Sequence, residues 1–189
     1  EAGRGVLLAG GIIGTTVLPM ALLGHYEVAS TEPAGALVHG LFFFAIGALI
    51  QELGFRLILF RLLEELTGTW LGLVLVAVVF ALFHAANPDA TAATLLAMGV
   101  GDLLLGACFV YTRRIWLVWG FHAGWNYLQD GVLGMPNSGI TELVSWISPN
   151  VSGPEWLTGG VFGIEASWVV LLASAVVATW MLAWSRIEG

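Results

Sequence analysis

Residues 34–56 read AGALVHGLFFFAIGALIQELGFR, and this stretch decides the kind of protein. The run from Ala34 to Ile50 contains no Asp, Glu, Lys or Arg and is long enough for most of a membrane-spanning helix. Gln51, Glu52 and Arg56 follow directly. The stretch therefore predicts an apolar helix that carries polar side chains within the membrane or close to its edge.

The composition of the whole chain agrees with this. Of the 189 residues, 58% are hydrophobic and 10% are charged, and the mean hydropathy is +0.90. Soluble domains have about a quarter of their residues charged, so we predict an integral protein of a lipid bilayer. Lys is absent and the net charge is −7, so no basic face is left for nucleic acid.

Uncharged runs predict an all-α, polytopic helix bundle of about six transmembrane helices, with no sheet, in a single membrane domain over residues 1–189. Turn signals separate the runs, which we place at 5–24, 34 to about 66, 70–86, 90–112, 115–129 and 166–185. Residues 130–165 are rich in Gly, Pro, Ser and Trp. This segment is predicted to lie outside the membrane, as a lid, a docking element or an inert loop.

The arginines predict the orientation. With the N-terminus in the cytoplasm, Arg4, Arg61, Arg113, Arg114 and Arg186 fall at cytoplasmic helix ends. The outer loops then hold only acidic charges, namely Glu27, Glu32, Asp89, Asp130, Glu142, Glu155 and Glu165. The positive-inside rule therefore predicts that both termini are cytoplasmic, in what we expect to be a prokaryotic cell membrane.

Seven polar side chains fall within the apolar runs, where an ionisable group costs about 2.5–3.5 kcal/mol. They are Gln51, Glu52, Arg56, His84, Asp102, His122 and Asn126, and His39 joins them more weakly. Gln51 precedes the turn at Gly68 by about as many residues as His84 follows it. Both therefore lie about 25 Å from that turn and level with each other.

The spacing of these residues along single helices indicates which of the polar side chains share a helix face. His122 and Asn126 share a helix face, as do Glu52 and Arg56 in the favourable order for an ion pair. Asp102 could complete the pairing with Arg56. We therefore expect Gln51, His84, His122 and Asn126 to converge at one depth as a candidate active site.

At these residues the chain resembles the CAAX prenyl endopeptidase and bacteriocin-processing family of intramembrane proteases. That family has the motifs Glu-Glu-x-x-x-Arg, Phe-x-x-x-His and His-x-x-x-Asn on successive helices. Here the matching segments are Gln51-Glu52-Leu53-Gly54-Phe55-Arg56, Phe80-Ala81-Leu82-Phe83-His84 and His122-Ala123-Gly124-Trp125-Asn126. The resemblance covers about residues 50–127, which form the core that carries the motifs.

The resemblance implies a glutamate-type intramembrane endopeptidase that cleaves a membrane-anchored or C-terminal-signal peptide or protein without a cofactor. The family's first Glu and its His partner, here Gln51 and His84, would activate water. The positions of Asn126 and His122 suit stabilisation of the oxyanion. Gln51 departs from the pattern and cannot accept a proton at neutral pH. We favour an inactivating substitution at this position, and the chain as it stands is predicted to be inactive.

Three alternatives remain. A natural inactive family member could serve as a binding or immunity protein. His84, His122 and a carboxylate at position 51 could hold zinc in a metalloprotease, although we expect no metal. Buried ionisable groups would also suit a small transporter or proton channel, but no inverted repeat is evident.

In all cases, the position of His84 and Asn126 near the outer ends of their helices predicts a pocket that opens away from the cytoplasm.

Overall fold

The computed structural model describes residues 1–141 and 145–185, so Glu142 and Arg186 of the predicted topology lie outside the described residues. Its helices are α1 (Ala2–Leu22), α2 (Gly35–Glu52), α3 (Arg61–Thr67), α4 (Thr69–Phe83), α5 (Ala92–Thr112), α6 (Ile115–Asn126), α7 (Glu155–Thr158) and α8 (Trp168–Ser185). Two π-helical segments extend them. Leu53–Phe60 joins α2 to α3, and Tyr127–Val132 continues α6.

Four helices among the described residues are long and apolar enough to cross a membrane: Ala2–Leu22, Gly35–Thr67, Ala92–Thr112 and Trp168–Ser185. The chain is thus an integral membrane protein, as predicted. The expected number of about six spans is met only in part. Helix α4 is apolar but has 15 residues, and α6 has 12 before its π-helical continuation. At 1.5 Å per residue, both are shorter than a hydrocarbon core of about 30 Å.

The expectation of a fold without a sheet is wrong. Strands β1 (Tyr26–Thr31) and β2 (Ile147–Val151) pair antiparallel, with Tyr26 opposite Val151 and Thr31 opposite Ile147. The two strands come from distant parts of the chain. Five of the six residues of β1 are exposed, so this strand lacks the alternation that marks a half-buried strand, and β2 has only five residues. The hydroxyl of Tyr26 donates to the carbonyl of Leu133 at 2.8 Å and ties the sheet to the loop after α6.

Helix α6 lies at the centre of the bundle, packed against α1, α2 and α5, while α5 also packs against α4 and α8. Helices α1 and α6 approach very closely. A Cβ atom at Gly120 would overlap the backbone of Ala2, and one at Gly5 would overlap the backbone of Leu117 and Phe121. Because these two glycines have no side chain, the backbones of α1 and α6 come into direct contact. This packing keeps α6, with its polar residues, in the middle of the bundle.

The two ends of the bundle differ in charge. At what we call the arginine end, Arg113 contacts Glu64 at 2.8 Å and Arg114 contacts Glu1 at 3.1 Å. The opposite end, which we call the cap, consists of the sheet, the α4–α5 turn and residues 133–141 and 153–166. These parts are joined by backbone hydrogen bonds, such as that from Gly139 to Phe162 at 2.7 Å.

Candidate active site

A fully buried cluster of charged side chains lies next to the candidate active site, and Arg56 is at its centre. The Nε of Arg56 donates to Oε2 of Glu52 at 2.9 Å, and its terminal nitrogens donate to both carboxylate oxygens of Asp102, one of them at 3.2 Å. None of the three side chains is more than 1% exposed. The structure thus brings the predicted Glu52–Arg56 pair together, and Asp102 completes it.

Glu52 also fixes the ring of His122. Its Oε1 lies 2.6 Å from Nδ1 of His122, which is 7% exposed. A carboxylate accepts, so Nδ1 carries the proton and donates to Glu52. The Nε2 atom of His122 has no protein partner among the described residues. One carboxylate therefore connects the ion cluster to the histidine of the His-x-x-x-Asn motif.

The ring of His84 is held by its own helix. Helix α4 ends at Phe83 rather than at residue 86 as predicted, and His84 is its C-terminal cap. The Nδ1 atom of His84 lies 2.8 Å from the carbonyl oxygen of Phe80, to which it donates. The lone pair is therefore on Nε2, where it can accept a proton. The ring of Phe80 packs against that of His84, with the ring centroids 4.6 Å apart.

A cavity of about 350 Å³ lies between α2, α4, α5, α6 and α8 and beneath the cap. Gln51, His84, His122 and Asn126 all line it, so the four side chains expected to converge border one space. Glu52, Arg56 and Asp102 are buried in the wall and do not line it. His39 is exposed and does not line it either.

Several polar residues of the cavity wall were not predicted from the sequence. These further lining residues are Asn87, Asn137, Ser138, Glu165 and Ser174. The amide of Asn87 donates to the carbonyl of Ser138 at 2.9 Å, and the backbone N–H of Ser138 donates to Oε1 of Glu165 at 3.1 Å. The sequence indicated this arrangement only through the prediction that residues 130–165 could form a lid. The spacing of residues within a loop does not show which of them come into contact.

The donor set of the cavity does not suit a metal. Within residues 1–141 and 145–185, no group of three His, Cys, Asp or Glu is arranged to hold a metal ion. The third ligand that a His₂Glu zinc site would require is the amide of Gln51, a poor substitute for a carboxylate. The residues present therefore do not fit a catalytic zinc.

The fold and the site define a membrane-embedded, helical protein with a largely apolar cavity between its helices, into which a few polar side chains face. The model of the Rce1-like type II CAAX prenyl endopeptidase family matches residues 33–128, which include Gln51, His84, His122 and Asn126. The chain belongs to this family, whose members are intramembrane proteases. Neither a curated protein nor a solved structure shows significant similarity to the chain.

Proposed function

We propose that this chain is an intramembrane endopeptidase whose catalytic centre is formed by residue 51, His84, His122 and Asn126. Its substrate is a membrane-anchored protein or a peptide with a C-terminal signal. The single observation that carries the proposal is that these four side chains, from three separate helical segments, line one cavity. Family membership supplies the reaction class.

In the active form, residue 51 is a glutamate. Its carboxylate removes a proton from a water molecule in the cavity, and the water oxygen attacks the carbonyl carbon of the scissile peptide bond. His84, whose Nε2 lone pair is available, helps to orient the water, accepts on Nε2 the proton that the carboxylate took from it, and passes this proton to the nitrogen of the leaving amine as the peptide bond breaks. Atoms balance, since the water provides the hydroxyl of one product and a hydrogen of the other.

Asn126 and His122 stabilise the oxyanion of the tetrahedral intermediate. The side-chain amide of Asn126 can donate directly, and His122 can donate from Nε2 when both of its ring nitrogens are protonated. Glu52 accepts from Nδ1 of His122 and binds Arg56, which in turn binds Asp102. Glu52, Arg56 and Asp102 are therefore positioning residues that hold the ring of His122 in place.

Gln51 makes the chain as it stands inactive in this proposal. The amide has nearly the same shape as the carboxylate and leaves the cavity intact, but it cannot take the proton from water. Gln51 is also the observation that favours the second candidate, a natural inactive family member that binds peptides without cleaving them.

The test is cleavage in proteoliposomes. Q51E and the chain with Gln51 are reconstituted in parallel and incubated with a library of single-spanning peptides, and the products are identified by mass spectrometry. Cleavage by Q51E alone supports the proposal, and resistance of that cleavage to zinc chelators separates it from a metalloprotease. If neither protein cleaves any peptide while both bind the same ones, the binding protein is the better account.

A further inference from the structure

Among the residues that the structure describes, Glu165 is the one carboxylate that lines the cavity. It lies in a short 3₁₀ turn, Ile164–Ala166, directly before α8. The segment that matches the family model ends at residue 128 and does not include it. The mechanism proposed above gives Glu165 no part, so its place in the cavity needs a separate explanation.

Neutral groups alone hold this carboxylate. Its Oε1 accepts from the backbone N–H and the hydroxyl of Ser138, at 3.1 and 3.3 Å, and its Oε2 accepts from Nε2 of Gln129 at 2.6 Å. No Arg or His side chain pairs with it in residues 1–141 and 145–185. A partly buried carboxylate without a counter-charge is costly, and its oxygens can accept more hydrogen bonds than these three. Burial accordingly raises the pKa of Glu165 to about 7.

The position of Glu165 along the cavity follows from its partner Gln129. Gln129 lies seven residues after His122 on one continuous helical segment, which corresponds to roughly 10 Å along the helix axis. An extended peptide advances about 3.3 Å per residue, so this distance spans roughly three residues of a bound substrate. The partner of Glu165 thus lies about three peptide residues from His122 along the helix axis, and Glu165 can reach a side chain of the same bound peptide.

The cap would also attract a positively charged peptide. Glu27, Glu32, Asp89 and Glu155 are exposed there, whereas no arginine of the described residues lies at the cap. Arg113 and Arg114 pair with acids at the opposite end, and Arg56 is held by its buried partners. A surface with charge of one sign raises the local concentration of ligands of the opposite sign.

We propose that Glu165 is a specificity-determining residue that binds a basic side chain of the substrate, about three residues from the scissile bond. This inference rests on the proposed function for the identity of the substrate as a peptide. The guanidinium or ammonium group would supply the counter-charge that Glu165 lacks, and the hydrogen bonds from Ser138 and Gln129 would keep the carboxylate in place to receive it.

The test measures binding, with the chain that carries Gln51, so that cleavage is not required. Single-spanning peptides with one Arg at scanned positions are compared with peptides that carry norleucine, which is neutral, at the same positions. At the preferred position we expect Arg to bind about 10- to 100-fold more tightly than norleucine. E165Q should reduce that ratio to about one while the norleucine peptide binds as before, and E65Q, which removes an exposed acid at the arginine end, should leave the ratio unchanged.

Difference infrared spectroscopy separates this role from a merely structural one. Slightly below neutral pH, binding of the Arg peptide should ionise Glu165 and remove the carbonyl band of its protonated carboxyl, a change that should be absent in E165Q and with the norleucine peptide. The inference is overturned if the chain binds no Arg peptide more tightly than the matching norleucine peptide, or if no peptide binds. It is also overturned if E165Q weakens the binding of both peptides equally. Cleavage by Q51E without any preference for Arg would refute the inference and leave the proposed function standing. Preferential binding of Arg peptides, with no cleavage by Q51E, would support the inference and refute the proposed function.

Discussion

Glu52 and His122 lie 2.6 Å apart between Oε1 and Nδ1, in the interior of the bundle, on two segments separated by seventy residues. Through this contact the buried charges of α2 and α5 are connected to the wall of the cavity. The same carboxylate binds Arg56, which binds Asp102. The histidine therefore has a fixed orientation only while the whole cluster is intact.

Replacement of Arg56 with leucine should lower the free energy of unfolding by about 3–5 kcal/mol, because two carboxylates would be left buried without a cation. The matched control is R4L, which removes an exposed arginine and should change stability by less than about 0.5 kcal/mol. Thermal and denaturant unfolding in detergent measures both. Equal stability of R56L and R4L would contradict the assignment of Arg56 as the centre of the cluster.

Replacement of Asn126 with alanine should slow cleavage by Q51E about 10²- to 10³-fold, with the larger change in kcat. The reason is that a donor to the oxyanion matters chiefly in the transition state. Asn150, an exposed residue of β2, offers a matched control, and N150A should leave the rate of Q51E unchanged. A change confined to KM would show that Asn126 binds the substrate instead.

Stability should depend on pH through Glu165. Burial raises the pKa of this carboxyl from 4.5 to about 7, so the folded chain holds its proton more tightly than the unfolded chain does. Its contribution to stability is therefore full below about pH 4.5, is lost as the pH rises through about 7, and stays constant above that. We expect Tm to fall across this window relative to E165Q, which lacks the titrating group. E155Q serves as the control, and a difference curve between the chain with Glu165 and E165Q that is flat with pH would rule the effect out.

Replacement of Gly120 with alanine should destabilise the fold, because the added Cβ would overlap the backbone of Ala2 and force α1 away from α6. Overpacking of this kind costs about 1–3 kcal/mol. Gly11 on α1 has open space around it, so G11A should be neutral or slightly stabilising. Unfolding of the two variants side by side tests the packing, and similar stabilities would argue against close contact of these helices.

Local spacing predicted the parts of the site that lie within single helices. The pairs Glu52–Arg56 and His122–Asn126 follow from four-residue spacing, and the presence of Gln51 and His84 at one cavity agrees with their similar distances to the turn at Gly68. The early end of α4 at Phe83 was not predicted, because the apolar run continues to Ala86 and only the cap geometry of His84 stops it.

Non-local contacts account for the rest. The pairing of β1 with β2 depends on two segments that meet only after the helices have packed, and β1 carries almost no buried face. Glu165 reaches the cavity because Ser138 and Gln129 hold it there, which no pattern within residues 130–165 indicates. The π-helical turns were missed as well, since they have no periodicity of their own in the sequence.

The central claim is that a carboxylate at position 51 and His84 act together on one water molecule. The most direct measurement is the single-turnover cleavage rate in proteoliposomes of Q51E, of Q51E/H84A, and of H84A in the chain that retains Gln51. The account predicts rapid cleavage by Q51E, a loss of at least about 10²-fold in Q51E/H84A, and no cleavage by H84A alone. Cleavage by Q51E that persists unchanged without His84 would contradict it.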